Sequence, residues 1–228
     1  MSLYTPQDYG IIPGSADWNA PLDINSQGWI VGASMSEGGD FSYSAFIHDD
    51  HSIRGIVGLD QEVESIATGI NDAGLVAGYS WFEATDGRFK GQLDCHAWFY
   101  APPPTPPPGP HPWELHFLSL KGTRAVASGI NNSGQIVGRY LDDNDQSFWT
   151  FLWTPKVPGS LLGSITKIAR SPYQAQPNRF VYPNPSDWNA ASINDFGQVC
   201  GSMEFGQDSS HAMPSCGPPT SLTVPLVN

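Results

Sequence analysis

Two tripeptides in this chain carry the side chains that a sugar requires. Asp17-Trp18-Asn19 and Asp187-Trp188-Asn189 each set an indole between a carboxylate and an amide. An indole face stacks on the apolar face of a pyranose, while Asp and Asn hydrogen-bond its hydroxyls. The same text also serves architecture, with Trp filling a gap between packed units and its neighbours capping a turn. A second group of residues is acidic: Glu37 and Asp40, Glu83 and Asp86, the run Asp142-Asp143-Asn144-Asp145, and Glu204 with Asp208. Asp142 and Asn144, followed by Gln146, place oxygens at alternate positions, as a Ca²⁺ ligand set would. The calcium loop of helix–loop–helix proteins is not matched, because its Gly and closing Glu are missing. Solvated turn residues explain the same run. His96 and His211 stand at equivalent places in two strand-like runs, where packing accounts for them as well as a metal does. No nucleophile elbow, phosphate loop or zinc motif is present. Carboxylates are plentiful enough for a glycoside hydrolase or lyase, but nothing in the sequence fixes their separation.

The elements that must position these residues follow from a stretch written four times. It reads Ile24-Asn25-Ser26-Gln27-Gly28-Trp29-Ile30-Val31-Gly32, then Ile70-Asn71-Asp72-Ala73-Gly74-Leu75-Val76-Ala77-Gly78. It returns as Ile130-Asn131-Asn132-Ser133-Gly134-Gln135-Ile136-Val137-Gly138 and as Ile193-Asn194-Asp195-Phe196-Gly197-Gln198-Val199-Cys200-Gly201. The shared text, Ile-Asn-x-x-Gly-x-apolar-x-Gly, is a hairpin signal. Asn caps the turn, and the first Gly takes its positive-φ position. The second Gly, inside the next strand, marks a close backbone approach such as crowding near an axis. A third apolar run follows each copy: 43–47, 96–100, 149–153 and 211–213. A fourth follows at 52–57, 113–118, 164–169 and 221–224. Aromatic and β-branched residues dominate these runs, and turn residues bound them, as in strands. No stretch shows helical periodicity with caps.

With these motifs the chain resembles the HAF-repeat proteins, named for a His-Ala-Phe tripeptide in the third strand after an Ile-Asn-x-x-Gly turn. His96-Ala97-Trp98 and His211-Ala212-Met213 keep the first two letters, and Ser44-Ala45-Phe46 keeps the last two. Trp149-Thr150-Phe151 departs from the pattern. The resemblance covers nearly the whole chain and implies an extracellular repeat protein. It implies no particular activity.

Composition narrows the partners. The 228 residues carry a net charge of −12 with only 10 Lys and Arg. So little positive charge leaves no means of holding phosphate backbones or an anionic membrane surface. A cation or a neutral polar ligand such as a glycan suits the chain better. No apolar run is long enough to span a bilayer. The segment Met1 to Asp8 has neither a basic start nor an apolar core, so it does not read as a signal peptide, and a cytoplasmic location is the alternative to the extracellular one. Cys95, Cys200 and Cys216 show no metal spacing. Cys200 and Cys216 fall in neighbouring strands and could pair, against three buried thiols.

The expected fold is a single all-β domain spanning 1–228, with repeats near 14–62, 63–122, 123–172 and 186–228. Successive Ile-Asn turns lie 46, 60 and 63 residues apart, and the remainder at the two ends together makes about one more interval. A ring of four four-stranded blades, a small β-propeller, fits this count and removes most exposed edges. A five-bladed or incomplete ring is the alternative, because residues 3–13 duplicate a fourth strand. That strand could also pair with another subunit in a homo-oligomer. Two insertions interrupt the pattern: the proline-rich run Ala101 to Pro112, extended by composition, and the segment Ser171 to Trp188. The meander puts the acidic loops and both Asp-Trp-Asn links on the side opposite the Asn-x-x-Gly turns. A ligand site is expected there, in a non-enzymatic carbohydrate-binding module. The alternatives are a carbohydrate-active hydrolase or lyase on the same side, and a scaffold that recruits a protein through the proline run.

Overall fold

The computed structural model describes residues 15–36, 43–49, 52–56, 62–85, 90–101, 114–174 and 190–201. Among these the chain is all β, with no helix. Sheet 1 holds β1 (Ser15–Ile24), β2 (Ile30–Ser36), β3 (Tyr43–His48) and β4 (Ile53–Gly55). Sheet 2 holds β5 (Glu62–Ile70), β6 (Val76–Glu83), β7 (Leu93–Ala101) and β8 (Glu114–Phe117). Sheet 3 holds β9 (Gly122–Ile130), β10 (Ile136–Asp142), β11 (Ser147–Pro155) and β12 (Gly163–Gln174). Sheet 4 pairs β13 (Ala190–Ile193) with β14 (Val199–Gly201). Every sheet is an antiparallel meander in chain order. The third and fourth strands expected at 211–213 and 221–224 lie outside the described residues, as do residues 3–13 and 102–113.

Each repeat begins with the same turn. Gly28, Gly74, Gly134 and Gly197 all have φ between 74° and 84°, a region costly for other residues. The Asn side chain closes the turn from inside. Asn25 Oδ1 accepts from Gln27 N at 3.0 Å and Trp29 N at 2.9 Å. Asn71 and Asn194 repeat both bonds. The amide end of the same side chain reaches the next repeat, which the sequence did not disclose. Asn25 Nδ2 donates to Asn71 O, Asn71 Nδ2 to Asn131 O, and Asn131 Nδ2 to Asn194 O, at 2.9–3.1 Å. A second rail runs beside it. Ser26 N donates to Asp72 Oδ1, Asp72 N to Asn132 Oδ1 and Asn132 N to Asp195 Oδ1, each at 2.8 Å. The motif therefore builds the junctions between units as well as the turns.

The second Gly has a role different from axial crowding. In strand register it faces an aromatic of the third strand: Gly32 faces Phe46, Gly78 faces Trp98, and Gly138 faces Phe151. A methyl at Gly138 would lie 2.8 Å from the Phe151 ring and collide with the Val126 carbonyl. The missing side chain lets the aromatic lie across its own sheet. This aromatic is the third letter of the tripeptide in all three units.

The sheets stack in order. Sheets 1 and 2 enclose Val31, Ile47, Ala67, Val76 and Trp98. Sheets 2 and 3 enclose Phe99, Ala127, Ile136, Tyr140, Phe151 and Trp153. Sheets 3 and 4 enclose Val137, Ile193 and Val199. Burying side chains of this size contributes roughly 1.5–3 kcal/mol each. The stack has an open head: Ile24 is 60% exposed, whereas Ile70 and Ile193, each covered by the preceding sheet, are 5% and 7% exposed. Closure into a ring is not seen among the described residues.

Two boundaries differ from expectation. Asp17-Trp18-Asn19-Ala20 is part of strand β1 rather than a link between units. Asn19 and Ala20 pair with Ser34 and Ala33, and Pro21 is tolerated because β1 is an edge strand. Strand β12 continues through Gln174, which pairs with Ser147, so the first residues of the second insertion are sheet.

Candidate functional site

Strand alternation sends Ile136, Tyr140 and Asp142 of β10 toward sheet 2, together with Phe151 and Trp153 of β11. Where the two sheets part toward their outer strands, a cleft of about 390 Å³ remains. This lies within the roughly 300–1,000 Å³ of small-molecule sites. Phe99, Phe117, Tyr140 and Trp153 line it with rings, Leu161, Leu162 and Ile165 with aliphatic surface. The polar lining comes from Ser119, Lys121, Asp142, Asn144 and Lys167. Phe99 and Trp153 hold the inner wall together, with centroids 5.1 Å apart. Ser119, Lys121, Asn144, Leu161, Leu162 and Lys167 are exposed, so the cleft opens on the flank between the sheets. It belongs to neither side of the meander alone. Asn144 comes from the loop after β10, whereas Leu161 and Leu162 come from the loop between β11 and β12.

Asp142 organises the polar end. Its side chain is 2% exposed. Lys167 Nζ lies 2.8 Å from Oδ2, and the Tyr140 hydroxyl donates to the same oxygen at 3.2 Å. Asn144 N and Asp145 N donate to Oδ1 at 2.9 and 3.4 Å. Burial alone would raise this carboxyl, but Lys167, the two backbone amides and Tyr140 together hold it down at about 2. Tyr140 is pushed well above an ordinary phenol, first by burial and then by the neighbouring Asp142 charge. Lys167 is fixed from a second direction by the Trp149 ring, 4.5 Å from its ammonium. Trp149 Nε1 in turn donates to Asp145 Oδ2 at 2.9 Å. The acidic loop is thus a self-capped turn tied to one lysine.

That arrangement bears on the proposed Ca²⁺ ligands, Asp142 and Asn144. Both oxygens of Asp142 are engaged by donors, and a cation would have to displace the Lys167 ammonium. As arranged, these residues do not fit a Ca²⁺ ion. Among the described residues no three His, Cys, Asp or Glu side chains converge on a metal position. His96 is exposed, 3.7 Å from Asp94 Oδ2, and packs edge-on against Phe82 and Phe117.

Of the two Asp-Trp-Asn tripeptides expected at a sugar site, the first alone falls within the described residues. Asp17 and Trp18 are placed as backbone within β1, and Asn19 is half-buried there. Asp187-Trp188-Asn189 lies outside the described residues. So do Glu37, Asp40, Asp86, Glu204, Asp208, His211 and Cys216. Cys95 is buried with its thiol pushed up, chiefly by burial, and Cys200 is an exposed free thiol.

The sequence reading missed Tyr140, Lys121 and Lys167. A signal for Lys167 existed: it faces Phe151 across β11 and β12, so aligning the hairpin on the aromatic of the tripeptide places it beside Asp142. Comparison of the chain with protein-family models, characterised proteins and solved structures returns no match.

Proposed function

We propose that this protein is a non-enzymatic binding module whose ligand is a saccharide held in the cleft between sheets 2 and 3. The observation that carries this reading is the cleft's composition. Four aromatic rings meet a serine hydroxyl, an amide, a carboxylate and two ammonium groups in about 390 Å³. Apolar walls with a few convergent polar groups suit a ring that is apolar on its faces and hydroxylated at its rim. Hydrolysis is less well supported. A glycosidase sets two carboxyl groups roughly 5–9.5 Å apart, one of them protonated. Asp142 is the one carboxylate among the described residues lining this cleft, and its lysine keeps it ionised.

A glycan array tests the proposal, with the exposed rim changed by Ser119→Trp to fill the cleft. The native protein should bind a set of oligosaccharides that the variant does not, with equal melting temperatures. Reducing-end analysis of bound polysaccharide should show no new ends. Binding that survives Ser119→Trp would move the site elsewhere, and Trp18 and Trp188 would then be the next residues to change. Release of product would favour the hydrolase or lyase.

The four units are further proposed to form a small four-bladed propeller, in which unit 4 meets unit 1. The stacked order of the sheets and the uncovered Ile24 support this reading. A Ser26→Cys, Asp195→Cys pair, in a Cys200→Ser background, should then oxidise within one chain.

A further inference from the structure

The overall charge argues for a neutral ligand, yet the charge at the cleft differs. The chain has four lysines, and two of them, Lys121 and Lys167, line this cleft. Among the described residues Asp142 is the single acidic side chain in the lining, and Lys167 neutralises it at 2.8 Å. Asp145, in the same loop, spends its carboxylate on Ser147 N and Trp149 Nε1. Asp143 is exposed at the turn and does not line the cleft. Lys121 remains. It is exposed on the link just before β9, and among the described residues no carboxylate pairs with it. Among the described residues of the lining two ammonium groups face one carboxylate, an excess of one positive charge in a chain of net charge −12, with the exposed Asp143 alongside, its N–H donating to Lys121 O at 3.3 Å.

We infer that the saccharide taken by this cleft is acidic, a hexuronate residue whose carboxylate pairs with Lys121. This rests on the saccharide reading given above. A lone ammonium matches a singly charged carboxylate on a sugar. Phosphate and sulfate groups are more often met by a guanidinium fork or a nest of backbone amides, and among the described residues no arginine lines the cleft. Lys121 and Asn144 stand on the links that flank the opening, so the carboxylate would sit at the mouth with the sugar ring against Tyr140 and Trp153. The Lys167–Asp142 pair stays intact and serves as the polar end wall.

The test compares acids with their own esters. Oligogalacturonate, alginate oligomers and hyaluronan oligomers are titrated calorimetrically into the full chain, each beside its methyl ester. For at least one of these sugars the acid should bind about tenfold tighter than the ester, as expected for a hydrogen bond to a charged group. The preference should shrink as salt is raised. Lys121→Gln should lower the affinity for the acid to that for its ester, and Lys121→Arg, which keeps the charge, should retain the preference. Equal affinity for acid and ester across the panel overturns the inference and leaves the saccharide reading standing. A preference that survives in Lys121→Gln also overturns it, because another group would then hold the carboxylate. If neither these sugars nor their esters nor neutral oligosaccharides bind, the saccharide reading falls and the inference with it.

Discussion

Sheets 2 and 3 offer the same positions to the sheet before them and fill them with opposite chemistry. Four residues after the second motif Gly stands Phe82 in one and Asp142 in the other. Two residues before the third-strand aromatic stand His96 and Trp149. Opposite that aromatic, across the outer hairpin, stand Phe117 and Lys167. In sheet 2 the three rings meet edge-on, with centroids 5.4–6.0 Å apart. In sheet 3 the same places hold an ion pair and a cation–π contact. The turns below them share a Gly of positive φ, an Asn oxygen that accepts from the residue four positions on, and an Asn amide that donates to the next unit. Repeated text therefore builds the frame, and the individual character of each unit lies where the text departs from the repeat.

The comparison can be broken first at the frame. Gly78→Val and Gly138→Val should each cost about 3 kcal/mol or more, because the added side chain overlaps backbone carbonyl and ring in both units. Urea denaturation measures this, and a mild effect in either unit would show that the aromatic need not cross its sheet. A smaller effect separates the inside of the ladder from its end. Asn71→Ala removes two accepted bonds and one donated to the next unit, and should cost roughly 1–3 kcal/mol. Asn194 is exposed and donates only to its own Gln198 among the described residues, so Asn194→Ala should cost less than about 1 kcal/mol. Equal losses would mean that the bond between units contributes nothing.

The smallest effect concerns the positions that differ. Lys167→Met leaves Asp142 without its cation, but the lysine is part-exposed, so the loss should be roughly 1 kcal/mol. Phe117→Met, at the matching place in sheet 2, should show no linked pH dependence. The sign follows from the depressed carboxyl. Asp142 titrates at about 2 when folded against 3.8 for the free group, so its contribution is complete above pH 3.8 and fades as pH falls toward 2. Asp142→Asn should flatten thermal stability across that interval. An unchanged acid limb in Asp142→Asn would show that the pair with Lys167 does not stabilise the fold.

The turns were legible because Asn and Gly act within four residues of each other. The stacking of units was legible from the repeat itself. The cleft was not, for a physical reason. Asp142 was visible as a carboxylate among oxygens and suggested a cation, but the cation it holds is a lysine brought back by β12, two strands away. Its charge state depends on a hairpin register that local patterns do not report. The second Gly was visible as a close approach, and the misreading concerned which atoms approach. Nothing in the local sequence marks Lys121, and the link before β9 places it at the cleft mouth.

The central claim is that the ligand enters between sheets 2 and 3 while the repeated turns only hold the frame. Hydrogen–deuterium exchange with the tightest-binding oligosaccharide from the array tests it most directly. Protection should appear at residues 118–121, 140–146 and 161–167, with the turns at Asn25, Asn71 and Asn131 unchanged. Protection at those turns, with the cleft segments unaffected, would contradict the account.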